Sequence, residues 1–278
     1  MWTDELTVGE DASAAAWIAA RLSGEFGAVT LTVPSGFPAY VRICHPATDA
    51  GGAFVGWTEV ARETGRQAHA LMQWHALVGS SDPFNFTGSL WPGGDPQTGN
   101  LVPDVLGPLC EVLATYTTGP AHCFFCLWDG WGWVDGSGAL GKIVLRRGEH
   151  AVPPAEMQAP VPPAFSAHEL SRERVRLPGR DYLLLQGPLS AATKIGHRGS
   201  PTWFLPQSPN LFWPADRAWC AASEIDFDST LLGGSTELIQ AILDTPTFDA
   251  WAVGPEDSFA SDADKINTVA AGDDSEES

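Results

Sequence analysis

The stretch from Ser208 to Leu243 constrains the fold of this chain more than any other part of the sequence. Across 218–228, mostly apolar residues alternate with small or acidic ones, which is the period of a β-strand with one buried face. Gly233 and Gly234 predict a turn, and Ser235 is a suitable N-cap for the helix that follows. This helix carries an apolar stripe at helical spacing, made of Leu238, Ile239, Ile242 and Leu243.

Periodic segments elsewhere predict the other elements of the fold. Helices are predicted at Ala12–Phe26, Thr58–Thr64, Gln67–Val78 and Leu101–Thr117. Strands are predicted at Val29–Val33, Tyr40–His45, His122–Trp128, Ile143–Arg147, Tyr182–Gln186 and Trp251–Val253. Together these segments predict an α+β protein with a mixed or antiparallel sheet and several flanking helices.

A proline-rich stretch near the middle of the chain is the candidate boundary between two lobes. Residues 151–163 contain five prolines and predict an extended connector. It either separates an N-terminal lobe at 1–150 from a C-terminal lobe at 164–254, or crosses the surface of one domain. Residues 255–278 carry eight carboxylates among small residues, which predicts a largely disordered acidic tail.

The composition restricts the compartment and the partners. The net charge is −19, which argues against binding to nucleic acids or anionic membranes because both need a basic surface. The sequence has no apolar run of the ~18 residues that a membrane span needs, and its first residues lack the pattern of a signal peptide. Five scattered cysteines do not suggest a disulfide framework. We therefore expect a soluble cytoplasmic protein.

Three carboxylates at the end of the 218–228 strand form the candidate catalytic and metal site. Glu224, Asp226 and Asp228 share one predicted strand face and repel one another unless a cation lies among them. The cation is either Arg217 or a divalent metal with oxygen ligands. The Gly-Gly-Ser turn would then offer backbone N–H groups to a phosphate. The alternative is a solvated strand end without a site.

A short motif in the same stretch resembles the first motif of the haloacid-dehalogenase-type phosphatases. The residues Asp226-Phe-Asp-Ser-Thr-Leu231 follow the pattern DxDx[TV][LV]. The resemblance implies that Asp226 is the nucleophile and Asp228 the general acid, with Mg²⁺ beside them. It covers six residues, and the long Rossmann-like domain that follows this motif in the family has no counterpart in the predicted acidic tail.

Two further motifs favour structural roles. The segment Gly136–Lys142 satisfies GxGxxG and GxxxxGK, but an apolar strand follows it where a phosphate-binding loop needs a helix, so a hairpin turn is the favoured interpretation. Cys123 and Cys126 have CxxC spacing on a predicted strand. Their thiols therefore point to opposite faces and are expected to be buried rather than to bind a metal together.

The twelve tryptophans are the other candidate for a functional surface. Five of them lie on Pro- or Gly-rich segments, namely Trp91, Trp131, Trp133, Trp203 and Trp213. They form either an exposed surface for a ligand or partner protein, or part of the core.

The chain as a whole resembles a family of uncharacterised proteins from high-GC bacteria. The segments LMQWHALVGS, CFFCLWDGWGW and SPNLFWPADRAWCAASEIDFDSTLLGGS carry this resemblance, which implies kinship over the full length and no particular activity. Our leading hypothesis is a cytoplasmic binding or accessory protein with an aromatic, loop-rich surface, a protein or small-molecule ligand and no cofactor. The alternative is a metal-dependent phosphohydrolase-like enzyme that uses the three carboxylates and a divalent metal.

Overall fold

The computed structural model describes residues 4–84, 89–137, 162–200 and 203–268. Several sequence predictions lie wholly or mostly outside these ranges. They are the strand Ile143–Arg147, the Pro-rich connector 151–163, the glycine-rich motif Gly136–Lys142 and the end of the acidic tail at 269–278.

Nine strands of the described chain form one antiparallel sheet. In chain order the strands are Thr7–Val8 (β1), Ala39–Cys44 (β2), Ala47–Thr48 (β3), Phe54–Val55 (β4), Cys123–Trp128 (β5), Arg174–Leu177 (β6), Arg180–Gly187 (β7), Gly196–Ser200 (β8), Trp203–Pro206 (β9), Leu211–Pro214 (β10), Cys220–Ala222 (β11), Ser229–Gly234 (β12) and Ala250–Val253 (β13). The main sheet has the order β1-β7-β5-β10-β11-β12-β2-β13, with β6 also paired to β7. The pairs β3–β4 and β8–β9 form two small separate sheets.

The helices of the described residues are mostly short. They are Ala16–Ala19 (α1), Val29–Thr32 (α2), Trp57–Glu63 (α3), Trp74–Leu77 (α4), Pro103–Ala114 (α5), Gly132–Asp135 (α6), Ala167–Leu170 (α7) and Thr236–Leu243 (α8). Two 3-10 helices cover Ser13–Ala15 and Leu189–Lys194. The predicted α+β class, with an antiparallel sheet and flanking helices, is confirmed.

The two faces of the sheet bury separate hydrophobic clusters because successive residues of a strand point to opposite sides. One cluster contains Phe125 and Trp219 together with the apolar sides of α5 and α8. The other contains Tyr182 and Trp213 and lies against apolar residues of the segment 12–37. Strands from 1–150 lie among strands from 164–254 in the order of the sheet, so both segments contribute to it.

Two helices agree closely with their local sequence patterns. The segment Leu101–Thr117 contains α5, with Pro103 in its first turn. Ser235 caps α8 by accepting a hydrogen bond from the backbone N–H of Leu238, as predicted.

Other predicted elements are wrong or too long. The β-branched segment Val29–Val33 contains the one-turn helix α2, where a strand is predicted. The helices predicted at Ala12–Phe26 and Gln67–Val78 are reduced to single turns. In each case tertiary contacts override local propensity: for example, the backbone N–H of Val29 donates to the carbonyl of Asp257, more than two hundred residues away.

The long strand predicted at 218–228 is also wrong. Only Cys220–Ala222 is a strand, and residues 223–228 form a loop that leads into β12. Gly233 and Gly234, predicted as a turn, are instead the last residues of β12 and pair with β2. The absence of a side chain at Gly233 admits the ring of Phe37, because a Cβ there would lie 2.5 Å from Phe37 Cδ2.

The first part of the predicted acidic tail is packed on the domain. Phe259 is buried in the second cluster, and Asp264 and Asn267 are buried as well. Asp264 accepts hydrogen bonds from the ring of His69 at 2.9 Å and from the backbone N–H of Gln73 at 3.2 Å. These contacts hold residues 255–268 against the segment 67–73. They account for the irregular backbone of 67–73.

Candidate functional site

The loop 223–228 carries the three predicted carboxylates and separates them into two groups. Arg180 Nη2 lies 3.2 Å from Glu224 Oε1 and 2.6 Å from Asp226 Oδ2. Asp228 is paired with a different residue, Arg42, at 3.7 Å. Within the described ranges no group of three His, Cys, Asp or Glu side chains is arranged to hold a metal ion. The three carboxylates therefore do not converge on one metal.

Arg180, rather than the predicted Arg217, is the cation among these carboxylates. It begins β7, directly after the tight turn of the β6–β7 hairpin at Gly179, whose φ is +79°. Its guanidinium also lies over the indole of Trp128, 5.8 Å from the ring centroid. Arg217 lies elsewhere, 5.5 Å from the ring centroid of Trp17.

The rings of two tryptophans, Trp128 and Trp131, lie next to this charged group. The ring of Trp131 meets that of Trp128 edge to face, with centroids 5.3 Å apart. Trp131 is held in place because its Nε1–H donates to Asn210 Oδ1 at 3.2 Å. Asn210 Oδ1 also accepts from the backbone N–H of Trp128. We call Arg180 and Glu224, together with Trp128 and Trp131, the Arg180 site.

A small cavity lies beside Glu224. Its volume is about 30 Å³, which is enough for one water-sized group. Its polar lining comes from Glu224, Asn210, Tyr182 and Thr32, and its apolar lining from Leu22, Leu31, Leu177, Pro178, Leu211 and Ala222.

Glu224 is the unusual member of this lining. Its Oε1 is buried and accepts no aligned hydrogen bond, although Arg180 Nη2 is near enough for an ion pair. Arg180 Nε is also buried without a hydrogen-bond partner. Burial raises the pKa of Glu224, and the nearby charge of Asp226 raises it further, while Arg180 opposes the rise. Buried polar atoms without a hydrogen bond are rare in folded proteins, because an unsatisfied group costs about 1–3 kcal/mol.

The Asp228 group has a structural role. Arg42 is buried on β2 and donates to Ser229 Oγ and to the backbone carbonyls of Ala70 and Met72. Its guanidinium lies between aromatic rings, 5.0 Å from the centroid of Trp57 and 4.7 Å from that of Phe259. Burial raises the pKa of Asp228, and Arg42 opposes this. Arg42 thus joins the sheet, the 70–72 segment and the C-terminal segment.

This geometry does not fit the nucleophile and acid implied by the phosphatase motif. Asp226 and Asp228 pair with different arginines, and Asp226 has an exposed side chain that is 52% accessible. The preceding strand β11 has only antiparallel neighbours, whereas a Rossmann-like sheet is parallel. The resemblance of the six residues to that motif therefore has no structural counterpart here.

A buried polar chain next to the Arg180 site was not predicted from the sequence. His45 Nδ1 lies 2.6 Å from the carbonyl oxygen of Gln97, and Nε2 lies 2.9 Å from Thr230 Oγ1. Thr230 Oγ1 is in turn 2.6 Å from Ser223 Oγ. Because a carbonyl only accepts, Nδ1 carries the proton, so Thr230 donates to Nε2 and Ser223 donates to Thr230. Burial lowers the pKa of His45 to about 4, which keeps the ring neutral.

The five predicted surface tryptophans do not form one exposed surface. Trp91, Trp133 and Trp213 are buried, with 6%, 5% and 1% of their surface accessible, so the core alternative holds for these three and they do not contribute to a ligand or partner surface. Trp131 and Trp203 are half-buried. Loop composition does not distinguish an indole that anchors a loop from one that faces a ligand, which is why the sequence left both alternatives open.

Cys123 and Cys126 agree with their structural interpretation. Cys123 lies in the cluster under α5 and Cys126 in the cluster on the other face of the sheet. Burial raises the pKa of the Cys123 thiol to about 12. The two sulfurs therefore do not converge on a metal.

Comparisons with known proteins give no assignment. Neither a protein-family model, nor a curated protein, nor a solved structure shows significant similarity to this chain. Among the described helices, none has the length and apolar character needed to cross a membrane.

Proposed function

We propose that this protein is a binding module that takes a small neutral ligand at the Arg180 site. The ligand carries an N–H donor on an apolar body, as a primary amide does. The observation that supports this proposal is the buried Glu224 Oε1, which borders a cavity and accepts no aligned hydrogen bond. A donor placed there would give this buried acceptor the hydrogen bond that it lacks.

The charge around Glu224 favours a neutral donor over a cationic one. The guanidinium of Arg180 already lies 3.2 Å from the same oxygen. A cationic donor at this oxygen would be repelled by Arg180, which opposes its attraction to the carboxylates, whereas an amide N–H would meet no such repulsion. A carboxylate ligand is disfavoured for the opposite reason, since it would bring a third negative charge next to Glu224 and Asp226.

The remaining surroundings suit the apolar part of such a ligand. The cavity itself admits only the donor group, because its volume is about 30 Å³. Leucines and a proline form its apolar border, and the indoles of Trp128 and Trp131 stand beside Arg180. This arrangement resembles ligand sites in general, in which apolar walls surround a few oriented polar groups.

Benzamide is a suitable probe, with benzylamine and benzoate as its cationic and anionic counterparts. We expect benzamide to bind most tightly of the three in a ligand-observed NMR titration. Glu224→Gln keeps the shape of the side chain but removes its charge, and we expect benzamide binding to weaken about tenfold, which corresponds to about 1.4 kcal/mol.

Asp226→Asn is the matched control. Asp226 pairs with the same arginine but does not line the cavity, so benzamide affinity should stay within about twofold of wild type. Equal weakening in both variants, or equal binding of benzoate and benzamide, would refute a donor site at Glu224.

We also propose a cytoplasmic location. All five cysteines of the sequence are free and buried, which supports a compartment that keeps thiols reduced. The alternative of a metal-dependent phosphohydrolase has no supporting observation in the described part of the chain, and we do not propose it.

A further inference from the structure

An open groove lies at the other end of the sheet from the Arg180 site, between α8 and the ends of β2 and β13. Its volume is about 370 Å³, and it shares no lining residue with the cavity beside Glu224. Its lining is mostly apolar and consists of Phe37, Pro38, Ala39, Tyr40, Thr236, Ile239, Gln240, Leu243, Ala252, Val253 and Pro255.

Strand β13 borders this groove and is an edge of the main sheet. The backbone N–H of Cys44 donates to the carbonyl of Asp249, which makes these two residues a hydrogen-bonded pair of the antiparallel ladder. Trp251 and Val253 therefore also point their backbone groups toward β2, in register with Arg42 and Tyr40.

By the same alternation, Ala250 and Ala252 point their N–H and C=O groups away from β2. Within the residues that the structure describes, these outward groups have no hydrogen-bond partner. Ala252 is exposed. An edge with free backbone groups next to an apolar groove is the arrangement that accepts an added strand, because backbone hydrogen bonds supply affinity and alternate side chains enter the groove.

Three exposed acidic residues are sequence neighbours of the lining residues, and we call them the acidic rim of the groove: Glu237, Asp244 and Glu256. One of them contacts the lining directly, because Gln240 Nε2 donates to Asp244 Oδ1 at 2.8 Å. The segments 37–40, 236–244 and 250–257 that form the groove contain no lysine or arginine. The charge of the rim is therefore complementary to a basic segment.

We propose that β13 and this groove bind an extended segment of a partner protein, in which apolar residues alternate with basic ones. The segment adds as a strand to β13, places its apolar side chains in the groove and pairs its basic side chains with the acidic rim. A second copy of this chain fits less well, because two acidic rims and two chains of net charge −19 would repel.

The probe is a ten-residue peptide of alternating valine and lysine, acetylated and amidated at its ends. Its counterpart replaces every lysine with glutamate. We expect the lysine peptide to bind in isothermal titration calorimetry at low salt, with an affinity that falls as salt rises, and the glutamate peptide to show no binding.

Ala252→Pro tests the added strand itself. It removes the outward N–H but no hydrogen bond to β2, and proline is tolerated at such edge positions. We expect peptide binding to weaken about tenfold or more, while Ala252→Ser, which keeps the N–H, binds as wild type does. Circular dichroism and the melting temperature verify that both variants are folded.

Three results would overturn the proposal. The first is that Ala252→Pro and wild type bind the lysine peptide with equal affinity. The second is that the lysine and glutamate peptides bind equally well. The third is that sedimentation shows a dimer of wild type and that Ala252→Pro abolishes this dimer. Glu224→Gln should leave peptide binding unchanged, so this test and that of the Arg180 site succeed or fail separately.

Discussion

The buried histidine of the Ser223–Thr230–His45 chain predicts a specific dependence of stability on pH. His45 is completely buried, and its Nε2 accepts the hydrogen bond of Thr230 only while the ring is neutral. Acidification must therefore either break this hydrogen bond or unfold the protein. The perturbation is His45→Gln, which keeps one donor and one acceptor in a similar place and removes the titrating group.

The magnitude follows from the pKa of His45. Burial, aided by the charge of Arg42, lowers it from 6.5 to about 4 in the folded protein. Between these two pH values the unfolded chain binds one more proton at His45 than the folded chain does, so the free energy of unfolding rises with pH by about 1.4 kcal/mol per pH unit. The stabilisation, about 3 kcal/mol, is complete above pH 6.5 and is lost as the pH falls to 4.

Urea denaturation between pH 4 and pH 8 measures this effect, with intrinsic tryptophan fluorescence as the signal. The unfolding free energy of wild type, measured relative to that of His45→Gln, should fall by about 3 kcal/mol as the pH falls from 7 to 4. Other groups, such as His75 and His197, titrate in both proteins and cancel in this difference. Parallel pH profiles for the two proteins would refute a neutral, buried His45.

Three further outcomes are expected. Arg42→Met leaves Asp228 without its cation and should lower the free energy of unfolding in urea by about 3–5 kcal/mol; a loss below about 1 kcal/mol would contradict the structural role of this pair. Gly99→Ala should lower the melting temperature far more than Gly65→Ala, because both glycines have φ near +70° but only a Cβ at Gly99 lies within 2.8 Å of the backbone of Ile225. Since burial raises the pKa of their thiols, all five cysteines should react with a disulfide reagent only as fast as the protein unfolds; a thiol that reacts rapidly in the native protein would contradict this burial.

Sequence patterns predict those helices and strands whose conformation is determined by their own residues. Helix α5 has an apolar stripe and a proline in its first turn, and α8 has its N-cap serine, so both are evident in the sequence. The five-residue segment Val29–Val33 illustrates the opposite case. Its β-branched composition favours a strand, but hydrogen bonds to distant segments fix it as a helical turn.

The candidate site is predictable only in part. Clustered carboxylates identify the loop 223–228, and like charges require a cation nearby. Which cation this is depends on tertiary structure, because Arg180 and Arg42 reach the loop from strands that lie far away in the sequence. Glu224 is distinguished from Asp226 by its burial alone, and the apolar residues that line the cavity come from separate segments that give no sequence signal of it.

Glu224 Oε1 is a buried acceptor without an aligned hydrogen bond, and we propose that a neutral donor occupies it. Carbon-detected NMR of the Glu224 side-chain carboxyl, titrated with pH in the absence and presence of saturating benzamide, tests it most directly. We predict a pKa above that of an ordinary glutamate in the free protein, because burial raises it. Benzamide should then lower this pKa, since a hydrogen bond to the carboxylate favours its charged form. An ordinary pKa in the free protein, or a pKa that benzamide at saturation leaves unchanged, would contradict the claim.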